Sequence, residues 1–185
     1  LQKQGSRKSE LLRLGMNESR NWSDADKEKI KKAMTAIETE IRKQKYVLPL
    51  PGEIILLKSG MAEEGGALAY TRENWIAVGE KALNELSDAD LKQLMAYELF
   101  HLLTRTDHAF KAAMYQTIGF TVLDNEINFP AELIGKKISN PDISRYDSYA
   151  TFTIQGIAQN CTMMIYTEKP YENGNLFDYL KIGLI

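Results

Sequence analysis

The chain has 185 residues, of which 44% are hydrophobic and 26% are charged, and its formal net charge at pH 7 is -2. These values are typical of a single globular domain that buries a core. The absence of a long basic run argues against nucleic acid as a partner. No apolar run approaches the roughly 18 residues that a transmembrane helix requires, so we expect a soluble protein.

The cellular compartment is left open by the sequence. Cys161 is the one cysteine, so no intramolecular disulfide can form. This does not decide between cytoplasm and export, because many exported bacterial proteins also lack disulfides. The chain begins at Leu1 rather than at Met, which fits an exported protein whose leader has been removed as well as a shortened chain.

The first part of the chain predicts a flexible lead-in followed by a capped helix. Residues 1–22 are mostly polar, with one short helical piece expected near Leu11, and we expect one domain over residues 23–185. Ser23-Asp24-Ala25-Asp26 has the form of a capping box. A helix ending near Lys45 is predicted by apolar residues that recur every three or four positions: Ile30, Met34, Ile37 and Ile41.

Three short strands are predicted next. Glu53–Leu57 is a short apolar run, and Ala67–Tyr70 and Trp75–Val78 read as two further strands or as one bent strand. Gly65 and Gly66 lie before the second run without the spacing of a phosphate-binding fingerprint, and we interpret them as a turn.

The most informative stretch is Leu91–Arg105, which reads LKQLMAYELFHLLTR and follows a second capping tetrapeptide at residues 87–90. Compared with the zinc-peptidase motif His-Glu-x-x-His, residues 97–101 read YELFH. Glu98 and His101 are therefore in place, and Tyr97 replaces the first histidine.

The chemistry of that motif depends on helical spacing. Side chains at i and i+4 lie on one face of a helix, so two histidines there can bind one zinc ion while the glutamate reaches a metal-bound water. Tyr97 offers a phenol whose ordinary pKa is about 10, which is a poor substitute for imidazole. A glutamate in so apolar a helix is costly to bury unless it is paired or metal-linked, and this marks Glu98 as a candidate site residue.

Downstream of the motif the pattern mixes helix and strand. Phe110–Ile118 predicts a second helix, and Thr121–Phe129 is strand-like. Glu132–Ile134 suggests one helical turn. Tyr149–Ile154 and Asn160–Tyr166 alternate like the two arms of a hairpin.

The order of these parts resembles the zincin metallopeptidases over roughly residues 46–140: an amino-terminal helix, a strand, an edge segment ending GALAYTRENWIAV, the motif helix and another helix. The resemblance implies an α+β, zincin-like domain with a small twisted mixed sheet packed on the motif-bearing helix. In zincins the edge strand holds the substrate in an extended conformation. The matching positions here are Ala67, Leu68, Ala69 and Tyr70, whose free backbone groups would bind a peptide by strand addition.

The resemblance also implies a zinc site. Glu98 would be the general base, His101 a ligand, and Tyr97 would occupy the position of the missing histidine. In glutamate-type zincins the third ligand lies downstream, and Glu126 fits that position best. Glu132 is an alternative, as is Asp107, although the pattern with a ligand at that spacing has glycine where this chain has Thr104.

Other polar residues near the motif have simpler interpretations. For His108 we favour an exposed or locally hydrogen-bonded position over a ligand role. Tyr146 and Tyr149 could supply the phenol that many zincins use to stabilise the oxyanion, although aromatic packing is the simpler reading. Cys161 alternates with apolar neighbours and is interpreted as a small buried hydrophobe.

Two functional hypotheses follow from the sequence. The first is a zinc-dependent metallopeptidase-like domain in which Glu98 activates a metal-bound water, with Tyr97 expected to impair activity and to leave zinc weakly bound or absent. The alternative is a catalytically inactive zincin-like module that binds a peptide or protein partner. Whether the chain is an enzyme is therefore open at this stage.

Overall fold

The structure is a computed structural model that describes residues 8–138, 140, 143, 145–170, 172–173 and 178–185. In these residues six α-helices are combined with small β-sheets, so the fold class is mixed α+β. The chain divides into two compact units, Leu1–Asp107 and His108–Ile185. From the sequence we expect a single domain over residues 23–185. No glycine or proline marks the boundary, which explains why the sequence gives no signal there.

The described part of the predicted lead-in is helical and is attached to the first unit. Residues 1–7 lie outside the described residues, and helix α1 follows at Lys8–Glu18. Beyond it, Ser19 forms an isolated antiparallel bridge with Ser59, and the Arg20 N–H donates to the Lys58 carbonyl at 2.9 Å. These backbone bonds hold the segment against the first strand.

Helix α2 covers Asp24–Lys43 and confirms the predicted capping box. The Ser23 hydroxyl accepts the Asp26 N–H at 3.1 Å, and the Asp26 carboxylate accepts the Ser23 N–H at 2.9 Å. Its buried apolar positions are Ile30, Ala33 and Ile37, which follow the helical period of the sequence.

The first unit contains a three-stranded mixed sheet in the order β1-β3-β2. β1 covers Ile55–Ser59, β2 covers Ala69–Arg72 and β3 covers Trp75–Gly79. β1 is parallel to β3, and β2 is antiparallel to it. The three predicted strands are therefore present, with the first two starting two residues later than expected.

A buried ion pair joins α2 to this sheet. The Lys58 ammonium lies 2.9 Å from the Asp26 carboxylate and 3.5 Å from that of Glu80, and the Lys58 and Asp26 side chains are at most one-tenth exposed. The hydrogen bond from Lys58 lowers the pKa of Asp26 to about 2. The start of α2 is thus fixed by both a cap and a buried charge partner.

Two helices follow the sheet in the first unit. α3, at Glu80–Glu85, was not predicted, whereas α4 at Asp88–Thr106 is the predicted motif helix. The Ser87 hydroxyl accepts the Asp90 N–H at 3.2 Å and caps α4. α4 packs against α2, β2 and β3.

The second unit begins with α5 at His108–Gln116 and β4 at Phe120–Val122. The strand is shorter than the predicted run to Phe129. α6 covers Ala131–Ile134, as the sequence suggests. The remaining strands are β5 at Ser148–Ile154, β6 at Ile157–Cys161, β7 at Met163–Tyr166 and β8 at Lys181–Leu184.

The predicted hairpin of the second unit is wrong in its second arm. β5 pairs with β6 through a two-residue turn at Gln155-Gly156, both with positive φ, and β7 pairs with β8 instead. Positive φ at both central positions is the geometry of a type I′ hairpin turn. The sequence does not predict this turn, because Gln is an unusual first residue for it.

None of the helices in the described part of the chain has the length and apolar character that a bilayer crossing requires.

Candidate functional site

The motif residues divide between two sides of α4. Glu98 is only 2% exposed and lies on the buried side with Leu91, Met95 and Leu102. Tyr97 is 53% exposed and His101 is half-buried. Successive residues are about 100° apart around a helix, so Glu98 turns into the core while Tyr97 and His101 share the more exposed side. Tyr97 and His101 thus keep the i, i+4 relation of the motif, while Glu98 lies on the buried side of the helix.

The rings of Tyr97 and His101 are in direct contact. Their centroids are 4.4 Å apart and their planes make an angle of 83°. The ring of Phe100 lies 6.3 Å from that of His101, centroid to centroid, and the two planes make an angle of 69°. Edge-to-face geometry of this kind is favourable between aromatic rings. The imidazole therefore belongs to an aromatic cluster on α4, which we define as Tyr97, Phe100 and His101.

A side chain near the end of α4 joins the helix to β2. The Arg105 guanidinium donates to the Thr71 hydroxyl at 2.7 Å, and Thr71 is completely buried. This contact fixes the motif helix against the strand that ends the sheet. Sequence reasoning missed Arg105, because a basic residue in the last turn of a helix is explained equally well by the helix dipole.

The pairing of β2 with β3 determines which backbone groups of β2 face away from the sheet. The Gly79 N–H donates to the Leu68 carbonyl at 2.8 Å, so these residues form a hydrogen-bonded pair. In an antiparallel ladder, hydrogen-bonded pairs alternate with pairs that are not hydrogen-bonded. The next hydrogen-bonded pair is therefore Tyr70 with Ala77. Within β2, the backbone groups of Ala69 and Thr71 therefore face outward, whereas the Ala67 N–H donates to the Glu64 carbonyl at 3.4 Å in the preceding turn.

Only part of that outward edge is accessible. Thr71 is completely buried and Ala69 is 9% exposed, whereas Ala67 is half-buried and Leu68 is 40% exposed. Of the four residues predicted to bind substrate, Ala69 is the one whose backbone groups face away from β3. An incoming strand would therefore meet the sheet at Ala69.

Tyr70 has a structural role that the sequence did not indicate. Its hydroxyl donates to the Glu63 carboxylate at 3.1 Å, and the Ser59 hydroxyl donates to the same oxygen at 2.6 Å. Burial, followed by the charge of Glu63, raises the pKa of Tyr70. The backbone of Tyr70 pairs with Ala77 of β3 and its side chain is buried, so Tyr70 contributes to the sheet and its core. Its role in substrate binding stays a prediction.

The downstream ligand candidates are distributed over the two units. Asp107 forms the C-cap of α4, and its N–H donates to the Leu103 carbonyl at 2.9 Å. Glu126 and Glu132 belong to the second unit and are exposed. A carboxylate oxygen of Glu126 accepts the Tyr146 N–H at 3.3 Å.

The other polar candidates have local partners within the second unit. His108 is exposed, and its Nε2 lies 3.2 Å from the Leu123 carbonyl oxygen. Tyr146 is 5% exposed, and its ring packs edge to face on Phe129 at 5.5 Å; burial raises the pKa of Tyr146. Cys161 is buried, as the alternation in its strand predicts.

The zinc-peptidase motif on α4 lacks its first histidine ligand, which is replaced by Tyr97. Catalytic zinc sites use three protein ligands, drawn from His, Cys, Asp and Glu. Among the residues described in this unit, no group of three such side chains is placed to hold a metal ion. The position one turn before His101 is occupied by a phenol ring that packs against the imidazole.

Comparison of the chain with protein-family models, with curated proteins and with solved structures finds no significant match.

Proposed function

We propose that this chain is a zincin-like module that binds an extended peptide at the end of β2, and that Tyr97 impairs zinc-dependent hydrolysis. One observation carries this proposal: an antiparallel strand lies at the end of a mixed sheet and packs against the helix that contains Glu98 and His101. This is the arrangement that the zincin resemblance implies for the edge strand and the motif helix. Backbone pairing at such an edge is a general mode of peptide recognition.

The accessible edge limits how the peptide is bound. The outward backbone groups of Ala69 can pair with a short stretch of peptide, and the buried Thr71 ends the pairing. The exposed side chain of Leu68 adds apolar contact. We expect weak binding, because strand addition over so few residues contributes few hydrogen bonds.

A second candidate is an active metallopeptidase. The glutamate and the second histidine of the motif are both retained, which favours it. Glu98 would serve as the general base and His101 as a ligand. Because Tyr97 occupies the position of the first histidine ligand, we rank this candidate below the binding module.

The substitution Tyr97→His separates the two candidates. We expect the parent protein, purified without chelator, to contain substoichiometric zinc by elemental analysis and to leave a fluorogenic random-peptide library uncut. The variant should gain zinc and hydrolysis, and adding His101→Ala should remove both. Stoichiometric zinc in the parent would contradict the impaired site. If Tyr97→His gains neither property, the zincin assignment is wrong.

Peptide binding is tested separately at the strand edge. Ala69→Pro removes an N–H that faces outward while leaving the ladder to β3 intact, and Ala69→Ser is the matched control that keeps this N–H. We expect fluorescein-labelled random-sequence decapeptides to bind the parent and the serine variant, with binding lost in the folded proline variant. Equal binding to all three proteins would exclude the β2 edge as the site.

A further inference from the structure

A groove in the first unit lies between α2, β1 and the residue before the N-cap of α2. Its volume is about 380 Å³, which falls within the range of roughly 300–1,000 Å³ for small-molecule sites. Its lining residues are Trp22, Lys27, Ile30, Lys31, Met34 and Leu56. It does not involve the motif residues of α4.

The sequence explains why the groove has an apolar floor. Ile30 and Met34 are one turn apart on α2, so their side chains lie on the same face. Leu56 points to the same side of β1 as Lys58, which is buried against the start of α2. Trp22 completes the apolar wall.

The rim of the groove is cationic. Lys27 and Lys31 are four residues apart, so their Cβ atoms are about 5–6 Å apart and their ammonium groups can reach one shared anion. Their side chains are 59% and 74% exposed, and their present partners are the highly exposed carboxylates of Asp24, at 2.9 Å, and Glu28, at 3.8 Å. Exposed pairs of this kind are weak, so an anion at the rim can compete with them.

We propose that this groove binds a medium-chain carboxylate, an unbranched alkyl chain with one anionic head. The alkyl chain lies against Trp22, Ile30, Met34 and Leu56, and the carboxylate lies between Lys27 and Lys31. The buried carboxylate of Asp26, in the first turn of the same helix, is paired with Lys58 at 2.9 Å, so its charge is offset. An apolar floor with two cations at its rim matches an amphiphile of negative charge and disfavours a cationic one.

Titration with decanoate, below its micelle concentration, tests this site directly. The protein has two tryptophans, so its indole N–H region in a proton–nitrogen NMR spectrum contains two signals. The signal that disappears in Trp22→Phe identifies Trp22. We expect decanoate to shift this signal to saturation, decanol to act more weakly, and decyltrimethylammonium to have no effect at equal concentration.

Charge variants test whether Lys27 and Lys31 bind the carboxylate head. The double variant Lys27→Glu/Lys31→Glu should weaken decanoate binding on the order of tenfold or more, because it replaces two attractions with two repulsions. Lys43→Glu, an exposed position on the same helix outside the groove, is the control that should bind like the parent. Met34→Gln should weaken decanoate and decanol alike.

Three results would overturn the proposal. The first is the absence of a saturable shift at Trp22. The second is equal binding of decanoate by the parent and the Lys27→Glu/Lys31→Glu variant. The third is a Trp22 signal that moves on simple dilution without any ligand, since this would mean that a second copy of the chain covers the groove.

Discussion

The ring of Tyr97 lies 4.4 Å from the ring of His101, centroid to centroid, and is nearly perpendicular to it. In an intact His-Glu-x-x-His helix the residues at these two positions converge on a third atom, the metal. Here they contact one another. The same helical spacing thus supports an aromatic pair where the motif would support coordination.

The first prediction concerns this ring pair. Tyr97→Ala should lower the free energy of unfolding by about 1 kcal/mol, because aromatic pairs contribute about 0.5–1.5 kcal/mol beyond the area they bury. Tyr97→Phe keeps the ring and should lose less. Urea denaturation of the three proteins measures the difference, and equal losses in both variants would show that the ring contact contributes nothing.

The second prediction concerns the buried side of α4. Leu102 is completely buried, whereas Phe100 on the same helix is 37% exposed. Leu102→Ala should cost about 2–5 kcal/mol, because it removes buried methyl groups and leaves a cavity. Phe100→Ala should cost clearly less. If thermal or urea unfolding gives the two variants similar losses, the assignment of the buried side of α4 is wrong.

The third prediction concerns pH. The pKa of Asp26 is about 2 in the folded chain against an ordinary value of 3.8, chiefly because of its hydrogen bond with Lys58. A carboxyl group whose pKa is lower in the folded than in the unfolded protein stabilises the folded state at pH values above its unfolded pKa. This stabilisation, on the order of 1–2 kcal/mol, should be complete above about pH 5 and lost as the pH falls towards 2.

Asp26→Asn tests the pH prediction, because it removes the titrating group. Its free energy of unfolding, measured by urea titration between pH 2 and pH 6, should vary less steeply with pH than that of the parent. Asp24→Asn is the control in the same helical turn, and its side chain is 97% exposed. If Asp26→Asn and the parent show the same dependence of the free energy of unfolding on pH, the buried pair of Asp26 and Lys58 is not the source of that dependence.

The fourth prediction concerns Gly79, where β3 ends. A Cβ added there would lie 2.9 Å from the Leu68 carbonyl oxygen and 3.1 Å from the Cγ of Met61. Gly79→Ala should therefore destabilise the first unit by about 1–3 kcal/mol through overpacking. Gly52→Ala, where a Cβ has no neighbour within 4 Å, should change stability by less than about 0.5 kcal/mol. Thermal unfolding of the two variants checks this contrast.

The sequence predicts the elements of the first unit well because their signals are local. The Ser23 and Ser87 caps mark the starts of α2 and α4, and the apolar period of α2 identifies its buried residues. α3 lacks such signals: no side chain caps it at Gly79, and it is only six residues long. Its formation depends on the packing of Ala82 and Leu83, which are almost fully buried.

The candidate site is less predictable because it depends on pairing and burial. The i, i+4 relation of Tyr97 and His101 follows from helical geometry alone. The outward direction of the Ala69 backbone depends on the register with β3, and the burial of Thr71 involves Arg105, which is 34 residues away in the chain. Neither relation leaves a trace in composition or periodicity.

The burial of Thr71 also bears on self-association. An exposed strand at the end of a sheet is a template on which copies of a protein can pair edge to edge and aggregate. With Thr71 covered and Arg72 charged, β2 leaves only a short stretch of backbone at Ala69 for pairing. We therefore expect the Arg105 contact that fixes α4 to β2 to disfavour pairing of copies of the chain through this edge.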